Sequence, residues 1–112
     1  MELDSVIGTR LNEIKKTAND IKLVFEDTKS HKIYVLTFDG LLFESSAPTL
    51  NRRVRTVKLS NTLGFRAHSQ LSNLNRDPRK YRQIFIEMEG SKDNNKVELM
   101  GALTDYRISL RR

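Results

Sequence analysis

Several short stretches of this chain alternate apolar and polar side chains at a period of two, and the connections between them are short and polar. Ile21, Leu23 and Phe25 alternate with Lys22 and Glu26; Val57 and Leu59 with Thr56 and Lys58; Ile84, Ile86 and Met88 with Glu87 and Glu89. Such alternation marks half-buried strands. The stretch 32–38 is apolar on both faces, Ile33 and Val35 against Tyr34, Leu36 and Phe38, as a central strand covered on one side by a helix and shielded in part on the other would be. Residues 27–31 read as a hairpin loop and 90–95 as a polar turn. Asp39-Gly40 is a dipeptide favoured in tight hairpins, so 41–45 is expected to return as a separate strand, with the pattern broken at 45–48. Connections this short join antiparallel neighbours, because a parallel pair needs a crossover of about a dozen residues or more. The expectation is an α+β domain built on a curved or barrel-like, mainly antiparallel sheet of about six strands.

The helical part is expected at the N-terminus. Leu3, Ile7, Leu11, Ile14 and Ala18 recur at spacings of four, four, three and four, the stripe of an amphipathic helix that would pack on the sheet. Asp4 could cap it and Asn19-Asp20 could end it. Gly8 weakens this reading by about 1 kcal/mol; the alternative is a shorter helix followed by a strand from Thr9. Near Thr104-Asp105 the apolar parity shifts, from Val97, Leu99 and Leu103 to Tyr106, Ile108 and Leu110. One extra residue in a bulge would produce that flip. Residues 60–82 are too long for a plain loop. Ala67, Leu71 and Leu74 sit there at helical spacing, and Asp77-Pro78 reads as a cap followed by proline at the first helical position.

At 112 residues the chain forms a single domain, residues 1–112. Its composition, 38% apolar and 30% charged, is that of a soluble globular protein. With no cysteine there is no disulfide framework, thiolate metal site or cysteine nucleophile. The opening Met-Glu-Leu-Asp lacks the basic and apolar regions of a signal peptide, and the longest apolar runs are three residues. The expectation is a cytoplasmic protein with no membrane role, no metal and no small-molecule cofactor.

Charge is unevenly distributed. Residues 52–82 hold nine lysines and arginines against one acid, Asp77, a local charge of +8 in a chain whose net charge is +6. A concentrated positive field attracts phosphates and carboxylates. The sequence therefore points to Arg52, Arg53, Arg55, Arg79, Lys80 and Arg82 as contacts for an anionic partner, with Tyr81 or Phe65 offering a stacking face. Arginine outnumbers lysine seven to two in the segment, which suits bidentate contact with either anion. Two partners fit: a nucleic acid, or an acidic protein surface, including a second copy of this chain in a homo-oligomer. The competing reading is a solvated surface whose cations are offset by Glu87, Glu89 and Asp105.

No catalytic pattern outweighs these. His31 and His68 have no ligand partner at metal spacing, and the adjacent His68 and Ser69 diverge in any regular backbone. Asp77, Glu87 and Glu89 resemble the metal-binding acids of restriction-type nucleases over some thirteen residues, which implies magnesium-dependent phosphodiester cleavage. Glu89 stands where that family usually has lysine, and Glu87 and Glu89 are equally the outward side of an alternating strand. The reading favoured by the residues is a small non-catalytic binding module.

Overall fold

A computed structural model describes residues 2–18, 20–44, 48–90 and 97–111. Six strands form one antiparallel sheet: β1 (Arg10–Lys16), β2 (Ile21–Glu26), β3 (Ile33–Glu44), β4 (Val54–Ser60), β5 (Arg82–Met88) and β6 (Val97–Arg111), in the spatial order β1-β2-β3-β6-β5-β4. One helix, α1 (Phe65–Asn73), links β4 to β5, and 3-10 turns occupy Leu3–Val6 and Pro78–Lys80.

The two long strands organise the rest. β3 and β6 pair from Ile33↔Arg111 to Glu44↔Leu99. β2 flanks only the Ile33–Phe38 part of β3, and β5 flanks only the Val97–Leu103 part of β6. The result is two four-stranded halves sharing one central pair. Between them, Phe38↔Tyr106 is followed by Gly40↔Leu103, so β6 carries one extra residue at Thr104-Asp105, where the parity shift places it. All six strands send side chains into one main core, among them Leu11, Leu23, Phe25, Leu36, Val57, Ile84, Ile86 and Leu99. Both halves can face one core only if the sheet curls around it.

The edge strands meet at one corner. Gly8 N–H donates to the Val54 carbonyl at 2.9 Å, Val54 N–H to Thr9 at 2.8 Å, and Leu11 N–H to Arg52 at 3.1 Å, around an Arg10↔Arg53 bridge. This seam joins the start of β1 to the approach to β4. Antiparallel pairing there sends the bodies of the two strands in different directions, so the sheet is not closed into a barrel and the barrel-like expectation is corrected.

The N-terminal helix is also corrected. Only Leu3–Val6 turns, as a 3-10 helix; the backbone is already extended at Ile7, and Gly8 follows at φ +85°, an angle for which an α-helix has no place. The misleading stripe has a physical source. β1 bulges between Leu11 and Glu13, so Leu11 and Ile14 both turn toward the core although three residues apart. A bulge adds one residue to a period of two and so imitates helical spacing.

Asp39-Gly40 makes no turn. β3 runs straight through it, merging the two expected strands into one of twelve residues. Gly40 serves close approach instead: a Cβ there would lie 1.8 Å from the Ala102 carbonyl oxygen. The chain's helix sits in the stretch 60–82. Ala67 and Leu71 pack with Phe43, Tyr81 and Ala102 into a second, smaller core on the outer face of the sheet, and the Gly64 N–H donates to the buried Gln83 side chain. Asp77 caps the 3-10 turn Pro78–Lys80, its carboxylate accepting from Arg79 N–H at 3.0 Å. The expected helix stop at Asn19, the break over 45–47 and the polar turn over 91–95 lie outside the described residues.

Candidate anion-binding face

Side chains of a strand alternate between faces, so inward Leu23, Phe25, Leu36 and Phe38 fix which neighbours point outward. On the β1-β2-β3-β6 half, the outward residues fall into cross-strand rows. Lys15 pairs with Lys22, Lys22 with Thr37, and Thr37 with Arg107. Two residues along each strand, about 7 Å away, lies the row Glu13, Val24, Val35 and Ser109. Beyond it the row runs Arg53, Arg10, Glu26, Ile33 and Arg111. Two cationic rows thus flank a central row whose middle is aliphatic, with Val35 covered and Val24 half-exposed.

Six cations, all exposed, lie in these rows with two acids, while Asp105 points outward beside Arg107 and Glu89 lines a recess with Arg10 and Arg53. Glu13 lies 3.6 Å from the Lys15 ammonium, and Glu26 accepts a hydrogen bond from the Asn12 amide at 2.8 Å. Among the described residues, none of Arg10, Lys22, Arg53, Arg107 and Arg111 has an ion pair or side-chain hydrogen bond. Two of the cross-strand pairs set like charges directly opposite. Arg10↔Arg53 is the closer, non-hydrogen-bonded kind of pair, since the bonds that define it run between the flanking residues. Lys15↔Lys22 is the other. Directly opposed like charges destabilise a sheet.

The basic stretch read from the sequence is divided by the fold. β4 and β5 run antiparallel, with Val54 opposite Met88 and Ser60 opposite Gln83. Arg53 and Arg82 therefore stand at opposite ends of the pair, about 20 Å apart at strand rise. Arg52 is half-buried and structural: its Nε donates to the Pro48 carbonyl at 2.6 Å and its Nη1 to the Glu89 carbonyl at 2.9 Å. Arg55 is exposed beside a bulge in β4. Arg79 closes on Asp77, Nε to Oδ1 at 3.1 Å, and this hydrogen bond holds the Asp77 carboxyl below its ordinary pKa. Lys80 is exposed and Arg82 half-buried. The Tyr81 ring is 8% exposed in the second core, and its hydroxyl accepts from Arg76 at 3.1 Å, so it offers no stacking face. Phe65 is exposed, on α1 and away from the cationic rows. Of the seven residues the sequence singled out, Arg53 sits on the face described above.

The partners of Arg53 were not legible in linear charge. Lys15 and Lys22 belong to an N-terminal segment with more acids than bases, and Arg107 and Arg111 to a C-terminal one that is neutral. Only the pairing of β3 with β6 brings them together.

Arg52 and Arg53 make a sharp contrast. Arg52→Ala should lower stability by about 1–2 kcal/mol, since two carbonyls lose a charged donor, while Arg53→Ala should leave it unchanged or slightly raised. Thermal melts of the two variants check this; equal melting temperatures would remove the structural role assigned to Arg52.

The three carboxylates of the nuclease resemblance do not share a place. Asp77 caps the 3-10 turn before β5, whereas Glu87 lies five residues into that strand, about 17 Å further at strand rise. Glu87 faces Glu98 on the outer face, and Glu89 lies past the strand's end. His31, in the β2–β3 loop, and His68, on α1, are exposed, and no group of metal-ligating side chains occurs among the described residues. No described helix is long and apolar enough to cross a membrane. Compared with protein-family models, with curated proteins and with solved structures, the chain matches none.

Proposed function

We propose that this protein is a non-catalytic binding module whose outer β1-β2-β3-β6 face holds an acidic protein surface. The observation that carries this reading is the pair of like-charged cross-strand contacts, Arg10↔Arg53 and Lys15↔Lys22. Each costs the isolated domain stability, and an opposing anion would turn that cost into attraction. A protein partner is favoured over a polyphosphate by what separates the rows. Val24, between the rows, and Ile33, within one of them, would meet an apolar ridge on the partner, which a phosphate backbone lacks. Arg107, Lys22 and Arg10 supply the charge contacts, with Arg53 and Arg111 at the ends.

The test uses the double variant Lys22→Glu/Arg107→Glu with poly-L-glutamate and a random single-stranded oligonucleotide as probes. Wild type should bind polyglutamate in a salt-sensitive manner, and the variant at least about tenfold more weakly. Its melting temperature should hold or rise, because the carboxylate introduced on β2 would face Lys15. Equal binding by the variant would sink the face. Retention of the oligonucleotide alone, lost in the same variant, would transfer the face to nucleic acid.

A further inference from the structure

The second half of β6 has one open side. β5 pairs with β6 only as far as Arg82↔Leu103, so beyond the Thr104-Asp105 bulge, from Tyr106 to Arg111, the strand is bonded to β3 on one side only. No backbone hydrogen bond from another described segment reaches this stretch. A shallow recess of about 520 Å³, lined by Thr37, Tyr106, Arg107, Ile108 and Ser109, runs along it. An unpaired strand is a template for another strand, and natural edges are usually blunted by charged side chains, proline, a bulge or a covering loop. This one has no proline, its bulge lies at its start, and its charges, Asp105, Arg107 and Arg111, are of both signs.

We infer that this edge pairs with the same edge of a second copy, in an antiparallel two-fold centred on Ile108. The side chains select both the occupant and the register. Tyr106, Ile108 and Leu110 belong to the inner face, with Tyr106 and Ile108 packed against the main core, while Asp105, Arg107, Ser109 and Arg111 point outward. Residues directly opposite in a pair must share a face, so the two-fold passes through a residue. Centring on Arg107 would set that arginine against itself, and centring on Ser109 would set Arg107 against Arg111. Centring on Tyr106 would leave only five residues free to pair before β5 intervenes. Centring on Ile108 uses the free stretch from 105 to 111. It sets Asp105 against the partner's Arg111, Tyr106 against Leu110, Arg107 against Ser109, and Ile108 against itself. The Asp105 carboxylate already accepts from Tyr106 N–H at 2.9 Å through Oδ1, and Oδ2 remains for the arginine of the other copy. The pairing extends the sheet through both molecules and does not depend on what the cationic face binds.

Sedimentation equilibrium across a range from about 1 to 500 µM tests it, a span that covers weak, edge-type association. The mass should climb from 13.0 kDa toward twice that value. Asp105→Arg opposes two arginines and Arg111→Asp two aspartates, so each single variant should weaken association at least about tenfold. The double swap Asp105→Arg/Arg111→Asp restores opposite charges and should return the affinity to within about threefold of wild type. Hydrogen exchange of wild type needs no variant: alternate amides between Thr104 and Arg111 should become protected only as concentration rises. A constant monomer mass, singles that associate like wild type, or a swap that fails to rescue would each overturn the pairing. A monomer that protects these amides only with a foreign peptide would reassign the edge to another chain's strand.

Discussion

Gly40→Ala should cost the domain at least about 3 kcal/mol, a large share of the roughly 5–15 kcal/mol available to a small protein. The new methyl would lie 1.8 Å from the Ala102 carbonyl oxygen, 2.9 Å from its carbon and 3.0 Å from Leu103 Cα. All three are backbone atoms of the adjacent strand, so no rotamer change relieves the clash. β3 and β6 would have to part opposite the Thr104-Asp105 bulge, at the point where the two halves of the sheet join. A domain of this size loses about 4–8 °C of melting temperature per kcal/mol, so the fall should exceed about 10 °C. Gly8→Ala is the natural comparison. Its φ of +85° strains any side chain, but a Cβ there meets nothing within 4 Å, which limits the loss to about 1–3 kcal/mol. Similar melting temperatures for the two variants would contradict the close approach of β3 to β6.

Gly40 also shows where the sequence misleads. An Asp-Gly step is a turn signal because glycine tolerates positive φ, yet glycine is equally required where another backbone comes too close for a side chain. Both needs leave the same letter in the sequence. Leu11 and Ile14 carry a parallel ambiguity, since a β-bulge and a helical turn both place inward residues three apart. Where no such irregularity intervenes, the pattern is readable. Ile21, Leu23 and Phe25, and Ile84, Ile86 and Met88, all reach the main core, as their alternation requires. The bulge at Thr104-Asp105 was legible because apolar residues lie on both sides of it, making the change of parity visible.

Charge fails for a different reason. The run from Arg52 to Arg82 is concentrated along the chain, but α1 and the antiparallel course of β4 and β5 spread it over the molecule. Several of its members are then taken up locally: Arg52 by two carbonyls, Arg76 by Tyr81 and Asp39, Arg79 by Asp77, and Arg66 by the Phe43 ring at 4.7 Å. Apart from Arg53, the cationic face is built instead from residues of low local charge, whose alignment depends on which strands are neighbours. Strand order is a non-local property, and period-two alternation specifies a strand's faces without naming its neighbours.

Leu71 and Leu74 lie on one helical stripe in the sequence and should nonetheless differ by several kcal/mol when replaced by alanine. Leu71 is 0% exposed and packs with Ala67, Tyr81, Phe43 and Ala102; Leu71→Ala should cost about 2–5 kcal/mol, because α1 has few other anchors and the small core cannot refill the space. Leu74 follows the last residue of α1 and is 56% exposed, so Leu74→Ala should stay within about 0.5 kcal/mol of wild type. The reason is the helix end. The chain leaves helical geometry at Leu74, and Asn75 follows at φ +59°, so the stripe ends before it completes another turn. Chemical denaturation of the two variants gives the comparison directly. Matching losses would mean that α1 continues through Leu74 onto the sheet, and would change the face that the helix buries.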